Sequence, residues 1–121
     1  MSVAAPVVHE IRVRRASRRL ELVFADGSEA SLPAEYLRVE SPSAEVQGHG
    51  PDQKRVIPGK REVNIEAVEP IGHYAIRIRF TDGHDTGLYS WDVLHELVQE
   101  QDAKWAVYLT QLEAQGLSRD P

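Results

Sequence analysis

The chain of 121 residues contains no cysteine. Disulfide bonds and thiolate metal sites are therefore excluded, and the composition suits a reducing compartment such as the cytoplasm. No stretch approaches the roughly 20 consecutive apolar residues that cross a bilayer. The opening segment MSVAAPVVHE also lacks the basic start and apolar core of a signal peptide. We therefore expect a cytoplasmic protein that does not bind membranes.

Positive charge and catalytic motifs are also scarce. Lys and Arg total 14 against 19 Asp and Glu, so the formal net charge is −5, which disfavours nucleic acid as a partner. The sequence has no Gly-rich phosphate loop, no Gly-x-Ser-x-Gly elbow and no His-Glu-x-x-His pair. Ser41 and Ser43 have no base evident in the sequence, so we expect them to serve as loop and cap residues. These absences predict that the protein is not an enzyme.

Alternating apolar and polar residues predict strands in EIRVRR, RRLELVF, SEASL, EVNIEAV and HYAIRIRF. Apolar residues at helical spacing predict a helix from Trp91 and a second one through Trp105, capped by Ser90 and Asp102 respectively. The pattern predicts an α+β fold, with one antiparallel sheet of about six strands and the C-terminal helices packed on one face. We expect one domain over 9–115, with disordered termini at 1–8 and 116–121.

Two segments resemble each other: FADGSEASLPAEYL and FTDGHDTGLYSWDVL. In both, a strand is followed by an Asp-Gly turn, a short strand and the start of a helix. The pattern predicts two copies of one hairpin-plus-helix unit, and the alternative is that short turn motifs recur in unrelated hairpins. The matched pairs are Phe24 with Phe80, Asp26 with Asp82, Gly27 with Gly83, and Leu32 with Leu88.

Histidines are the available metal ligands. His84 follows the second Asp-Gly turn, and His49 lies in GHG within the irregular, Gly- and Pro-rich segment 41–62. A site formed by His84 with His49 or with nearby Asp82 or Asp85 would suit a metal with nitrogen and oxygen ligands. The alternative is that each histidine lies on the surface or in a turn. Segment 41–62 itself is predicted to be mobile or functional.

Charge and aromatic residues provide candidate partner-binding surfaces. If their strands share one sheet, four arginines form a basic face for an acidic partner, and the alternative is cross-strand pairing with residues such as Glu21. Trp91 lies on a stripe with Leu94 and Val98 that predicts packing near Phe24 and Phe80. The alternative is an exposed aromatic binding patch. The candidate partner-binding residues are Arg12, Arg14, Arg77, Arg79, His49, Tyr89 and Trp91.

Three motifs, LPAEYLR, SPSAEVQGHGP and DGHDTGLYSW, together carry a family resemblance. The chain resembles the gamma-butyrobetaine hydroxylase-like N-terminal domain over roughly residues 9–113. In that family the domain precedes the catalytic domain of some 2-oxoglutarate-dependent hydroxylases, and it is fused to some iron–sulfur cluster carriers. The resemblance implies a non-catalytic accessory or interaction domain linked to iron or iron–sulfur metabolism. The partner would be an unknown protein, and the chain would be a monomer or a weak homo-oligomer.

The resemblance also concerns zinc. In the hydroxylases a Cys-x-Cys-x-x-Cys motif and a later histidine form a tetrahedral zinc site. On this chain the cysteine positions fall on Ser41, Ser43 and Val46, and the histidine position falls on His84. Since serine ligates zinc poorly and valine cannot, the resemblance implies the scaffold without zinc and no cofactor. The alternatives are a metal-binding protein that uses His84, and an accessory subunit of a 2-oxoglutarate-dependent oxygenase.

Overall fold

The computed structural model describes residues 5–121. Period-two segments form strands and the amphipathic segments form helices, as the sequence predicts. The elements are β1 Val8–Arg14, β2 Arg19–Phe24, β3 Glu29–Pro33, α1 Ala34–Val39, α2 Ala44–Gln47, a 3-10 turn Pro51–Gln53, β4 Ile65–Ile71, β5 Ala75–Phe80, β6 Leu88–Ser90, α3 Trp91–Gln99 and α4 Gln101–Ala114.

The six strands form two antiparallel sheets, in the order β1-β2-β3 and β4-β5-β6. The α+β class is confirmed, whereas the prediction of one six-stranded sheet is wrong. The sheets meet where the side chain of Arg15 donates hydrogen bonds to the carbonyl oxygens of Ile65 (3.2 Å) and Glu66 (2.8 Å). These side-chain bonds connect the end of β1 with the start of β4. In one continuous sheet, main-chain hydrogen bonds between paired strands would make this connection instead.

Both sheets contribute their inward faces to one core. Leu20, Leu22 and Phe24 of β2 alternate inward, as do Ile76, Ile78 and Phe80 of β5, and they pack with residues of α1, β6 and α3 in one cluster. A smaller cluster joins Val39 to the inner face of α4. Helix α4 therefore lies on the α1 side of the molecule, and its buried residues are Tyr108 and Leu112.

The two halves repeat one local structure. The N–H of Phe24 donates to the Ser28 carbonyl oxygen (2.8 Å), and the N–H of Phe80 donates to the His84 carbonyl oxygen (2.9 Å). Both turns have a glycine at positive φ, 89° at Gly27 and 91° at Gly83, which an L side chain rarely adopts. The second unit has one extra residue after its turn. In the registers, Leu32 pairs with Leu20 and Tyr89 pairs with Ile76, so the buried counterpart of Leu32 is Tyr89 and not Leu88.

The helix caps follow the sequence in part. The Val93 N–H donates to Ser90 Oγ (3.1 Å) at the start of α3, as predicted. Helix α4 begins after Glu100, without a side-chain cap, so Asp102 lies inside the first turn and is not the predicted cap. None of the described helices is both long and apolar enough to span a bilayer.

Several contacts are formed in the segments that the sequence predicts to be disordered or irregular. Residues 1–4 of the predicted disordered N-terminus lie outside the described residues, and β1 begins at Val8. At the predicted disordered C-terminus, Arg119 binds Glu35 of α1 through two hydrogen bonds. Segment 41–62 contains α2 and the 3-10 turn, and the Arg55 N–H donates to the Val46 carbonyl oxygen (2.7 Å). The mobility of this segment stays a prediction.

Candidate functional site

The end of α1, helix α2 and the second Asp-Gly turn meet at His84. Ser41, which follows α1, places Oγ 2.9 Å from His84 Nε2. Glu45, in the first turn of α2, places Oε2 3.0 Å from His84 Nδ1. Both ring nitrogens of His84 are therefore engaged, one by a hydroxyl and one by a carboxylate. In the neutral imidazole that donates its Nδ1 proton to the carboxylate, Nε2 accepts a hydrogen bond from the Ser41 hydroxyl.

Ser43 connects this contact to the loop after the turn. Its Oγ accepts a hydrogen bond from the Glu45 N–H (3.2 Å) and so caps α2. The same Oγ lies 2.7 Å from Thr86 Oγ1, and the Ser43 N–H donates to Ser41 Oγ (3.2 Å). The cap chemistry predicted for the serines is thus observed, with added bonds across to residues 84–86. We call Ser41, Ser43, Glu45, His84 and Thr86 the Ser–His cluster.

The Ser–His cluster is closed to solvent at its centre. Ser41 is 0% exposed, and Ser43, Val46 and His84 are also buried. A Cβ atom placed on Gly87 would lie 2.4 Å from Ser41 Oγ, so only glycine fits at residue 87 without movement of the serine. Of the four positions that the resemblance assigned to zinc ligands, the structure joins Ser41, Ser43 and His84 by hydrogen bonds, and the fourth, Val46, is buried in α2.

Burial favours the neutral form of His84. Desolvation, followed by the positive charge of Arg38, lowers the pKa of His84 below its usual 6.5, and Glu45 opposes this shift. A neutral imidazole is the form that can accept from Ser41 while it donates to Glu45. The electrostatics and the hydrogen-bond geometry therefore agree on one protonation state.

The second turn also carries a charged group. Asp82 Oδ1 accepts from the His84 N–H (3.1 Å), and Oδ2 lies 2.8 Å from Arg38 Nε and 2.7 Å from Lys60 Nζ. Burial opposes ionisation of this carboxyl, but the hydrogen bonds from Lys60, His84 and Arg38 outweigh it and lower the pKa of Asp82 to about 2. Within residues 5–121, Arg38 Nη1 is a buried nitrogen without a protein partner.

The chain from Ser41 through His84 to Glu45 has the connectivity of a nucleophile, a base and an orienting carboxylate. An acyl substrate would need space beside the nucleophile, but Ser41 is 0% exposed and the main chain at Gly87 lies against its hydroxyl group. The geometry therefore supports a structural role for the hydroxyl. Sequence analysis missed Glu45, although its place two residues after the capping Ser43, in the first turn of α2, is the signal that could have indicated it.

The residues at the family's zinc position do not fit the metal. They offer two hydroxyl groups, a valine and a histidine with both ring nitrogens engaged, and zinc prefers thiolate and free imidazole. The alternative site of His84 with His49, Asp82 or Asp85 is not assembled either. Among the described residues, no group of three or more His, Asp or Glu is placed to hold a metal ion, and His49 is exposed.

The predicted basic face is not formed as one surface. Its four arginines lie in two separate sheets, Arg12 and Arg14 in β1 and the other two in β5. Glu21 lies 2.9 Å from Arg14 and 4.0 Å from Arg12, as the alternative of cross-strand pairing predicted. Glu69 likewise lies 2.8 Å from Arg77 and 3.8 Å from Arg79. Carboxylates on neighbouring strands therefore offset much of the positive charge.

The alternative of an exposed aromatic patch formed by Tyr89 and Trp91 does not match the structure. Tyr89 is fully buried, and its hydroxyl donates to the Leu37 carbonyl oxygen (2.6 Å), so it cannot contact a partner. Trp91 is partly buried against the core cluster, and its Nε1 donates to the His73 carbonyl oxygen (2.9 Å). The aromatic ring beside Phe24 belongs to His95 (5.7 Å between centroids). Tyr74 is instead the exposed tyrosine of this region, at 61%.

Known proteins share both the sequence pattern and the fold. The family model described as "Gamma-butyrobetaine hydroxylase-like, N-terminal" matches residues 11–95. Two NMR solution structures are similar, one with 46% identity and a TM-score of 0.83 over 98% of this chain and 93% of that one. The other has 47% identity and a TM-score of 0.84 over 96% of this chain and 86% of that one.

A crystal structure from Acidithiobacillus ferrooxidans, of a protein with unknown function in the DUF971 family, is also similar. It shows 39% identity and a TM-score of 0.63, over 74% of this chain and 90% of that one. No curated protein matches the chain. Since the family model covers more than half of the chain, the protein belongs to the gamma-butyrobetaine hydroxylase-like N-terminal domain family, a family of small domains of unknown function.

Proposed function

We propose that this protein is a non-catalytic accessory domain that acts by binding a partner protein in the cytoplasm. The observation that carries the proposal is the Ser–His cluster, in which Ser41, Ser43 and His84, at positions that the resemblance assigns to zinc ligands, hydrogen-bond to one another and to Glu45 and Thr86. Every candidate reactive group of the cluster is thereby used to hold α2 and the second turn in place. We therefore expect the protein to act through its surface, by binding a partner.

A groove beside α4 is the surface best suited to a protein partner. A cavity of about 280 Å³ lies between α4 and the segment after α1. Glu40, Lys54 and Lys104 supply charge, and Tyr108 and the exposed Val107 supply apolar area. An apolar centre with a charged rim is typical of protein contact sites. The chain itself we expect to be a monomer or a weak homo-oligomer.

We connect the partner with iron or iron–sulfur metabolism. The support is the resemblance to domains that are joined to 2-oxoglutarate-dependent hydroxylases and to iron–sulfur carriers. An accessory subunit of such an oxygenase is one form that this role would take. The absence of cysteine suits the same reducing compartment.

Affinity capture with a matched control tests the proposal. The wild type, a groove variant Lys104→Glu/Val107→Asp and a control Arg12→Glu would each be tagged and exposed to native extract. We expect the wild type and the control to retain a common iron-containing partner, and the groove variant to lose it. Equal capture by all three proteins, or a partner without iron, would contradict the groove or the iron link respectively. Stoichiometric metal in the purified chain would favour a metal-binding protein instead.

A further inference from the structure

Two buried carboxylates lie at the start of α1 and directly after its end, and each has its own cation. Glu40 lies 2.6 Å from Lys54 Nζ, a residue of the segment that follows. Glu35 is paired with Arg119, which lies in the short segment that follows α4, and the Glu35 side chain is only 8% exposed. A buried carboxylate is costly without a cation, so the pairing of Glu35 depends on a short terminal segment.

The contact has a geometry specific to arginine. Arg119 Nε donates to Glu35 Oε2 (2.7 Å) and Nη2 donates to Oε1 (2.6 Å), which is the two-pronged arrangement of a guanidinium on a carboxylate. The guanidinium carbon also lies 5.1 Å from the centroid of the Trp105 ring. A lysine could reach the charge but could not supply both parallel bonds.

The residues that surround the Arg119 guanidinium are held in place by contacts that do not involve Arg119. Trp105 packs on Tyr108 with 5.2 Å between ring centroids, and edge-on to Tyr36 at 6.3 Å. The Tyr108 hydroxyl donates to the Ile57 carbonyl oxygen (2.6 Å). Glu35 is fixed in the first turn of α1. Carboxylate and aromatic wall therefore stay in place when Arg119 leaves.

The segment that supplies Arg119 has few other anchors. Two main-chain bonds hold it, from the Gly59 N–H to the Ser118 carbonyl oxygen (2.9 Å) and from the Arg61 N–H to the Arg119 carbonyl oxygen (3.0 Å). Asp120 adds an exposed ion pair with Arg61. A segment held by so few contacts opens at low cost.

We propose that Glu35 and Trp105 form a binding site for an arginine side chain, which Arg119 fills as an internal ligand and which an arginine-bearing peptide of a partner takes over. The incoming arginine would reproduce the paired bonds to Glu35. The peptide main chain would reproduce the two carbonyl contacts to Gly59 and Arg61. Displacement in this way leaves no buried charge without a partner. The site adds a contact point to the proposed function but does not depend on the groove beside α4.

Calorimetric titration of the full-length chain tests this site. The probe is an acetylated peptide of residues 116–121, GLSRDP, and the control peptide carries citrulline, which is neutral, in place of arginine. The protein is Arg119→Ala/Asp120→Ala, which removes both side-chain anchors of the internal segment. We expect it to bind the arginine peptide, and to bind the citrulline peptide at least about tenfold more weakly. The wild type should bind the arginine peptide at least about tenfold more weakly, because its own arginine competes.

Adding Glu35→Gln to that variant should abolish binding while circular dichroism shows a retained fold. Equal affinity for both peptides, unchanged binding after Glu35→Gln, or no binding by the folded variant would each overturn the proposal. If the double variant does not fold, Arg119→Lys replaces it, because lysine keeps the charge and loses the paired bonds. Peptide binding without any captured partner would support this site and contradict the proposed function, so the two fail separately.

Discussion

The turns at 24–28 and 80–84 share main-chain geometry and differ in what surrounds them. In both, an aspartate accepts from the N–H two residues later, Asp26 from Ser28 (2.9 Å) and Asp82 from His84 (3.1 Å). The first turn is exposed and its side chains bond only to each other. The second turn binds Arg38, Lys60 and Ser41 across the fold. One hairpin-plus-helix unit thus serves as scaffold and the other joins that scaffold to α1 and α2.

The one-residue difference between the units explains where this connection arises. The extra residue lies in 84–88, where the chain leaves the hairpin and passes over Ser41 with Gly87 as the contact. The first unit returns directly into β3 and has no such loop. The comparison therefore predicts that substitutions at the second turn have large effects and that matched substitutions at the first turn have small ones.

The largest expected effect is a gain of zinc. The variant Ser41→Cys/Ser43→Cys/Val46→Cys would place three thiols around His84, which is the ligand set of a structural zinc site. We expect one zinc per chain and a strong rise in melting temperature on zinc addition, since such sites contribute on the order of 10 kcal/mol. Metal analysis measures the zinc content, and the absorption spectrum of the cobalt-substituted variant reports the thiolate ligands. The same variant with His84→Ala is the control, and a folded triple variant that ignores zinc would show that the frame is not a metal scaffold.

The next effect is loss of the Ser–His cluster. His84→Ala removes the hydrogen bonds to Ser41 and Glu45 and leaves a buried hydroxyl without its partner, so we expect about 2–4 kcal/mol of destabilisation. The sequence interpretation of His84 as a turn residue predicts less than about 1 kcal/mol. Ser28→Ala, at the matched exposed position, should change stability by no more than about 0.5 kcal/mol. Urea unfolding of His84→Ala and Ser28→Ala measures both changes in stability. Equal destabilisation by the two variants would contradict the proposed difference between the turns.

A smaller effect is expected on the pH dependence of stability in acid. The pKa of Asp82 is lowered to about 2 in the folded chain, so its contribution is complete above about pH 4 and is lost as the pH falls towards 2. After allowance for solvent screening we expect about 1–2 kcal/mol. Asp82→Asn should therefore reduce stability at pH 6 and flatten the curve between pH 4 and 2. Asp26→Asn is the control, with a smaller effect because its carboxylate is exposed. A curve that keeps its slope after Asp82→Asn would contradict the assignment.

Much of the fold followed from sequence periodicity. Inward positions such as Leu22 and Ile78 alternate along their strands, and Asp-Gly fixes both turns, so the elements and the α+β class could be predicted. The division into two sheets could not be predicted from the sequence. It depends on the contact between Arg15 and the start of β4, two segments that are far apart in the sequence.

For the candidate site, the sequence predicted which positions lie together but not which contacts they make. The resemblance placed Ser41, Ser43 and His84 together, and the structure joins them by hydrogen bonds. Glu45 and Gly87 were missed, because their roles arise from packing across segments about 40 residues apart. The same reason applies to Tyr89 and Trp91. Helical spacing favoured the tryptophan as the core aromatic, but the extra residue in the second unit turns the tyrosine inward instead.

The central claim is that hydrogen bonds of the Ser–His cluster replace a metal at this position. Thermal unfolding of the purified wild type, with and without a strong chelator and with its zinc content measured on the same sample, tests it most directly. The account predicts no stoichiometric zinc and the same melting temperature in both conditions, because no metal contributes to folding. One zinc per chain, with a melting temperature that falls on chelation, would contradict it.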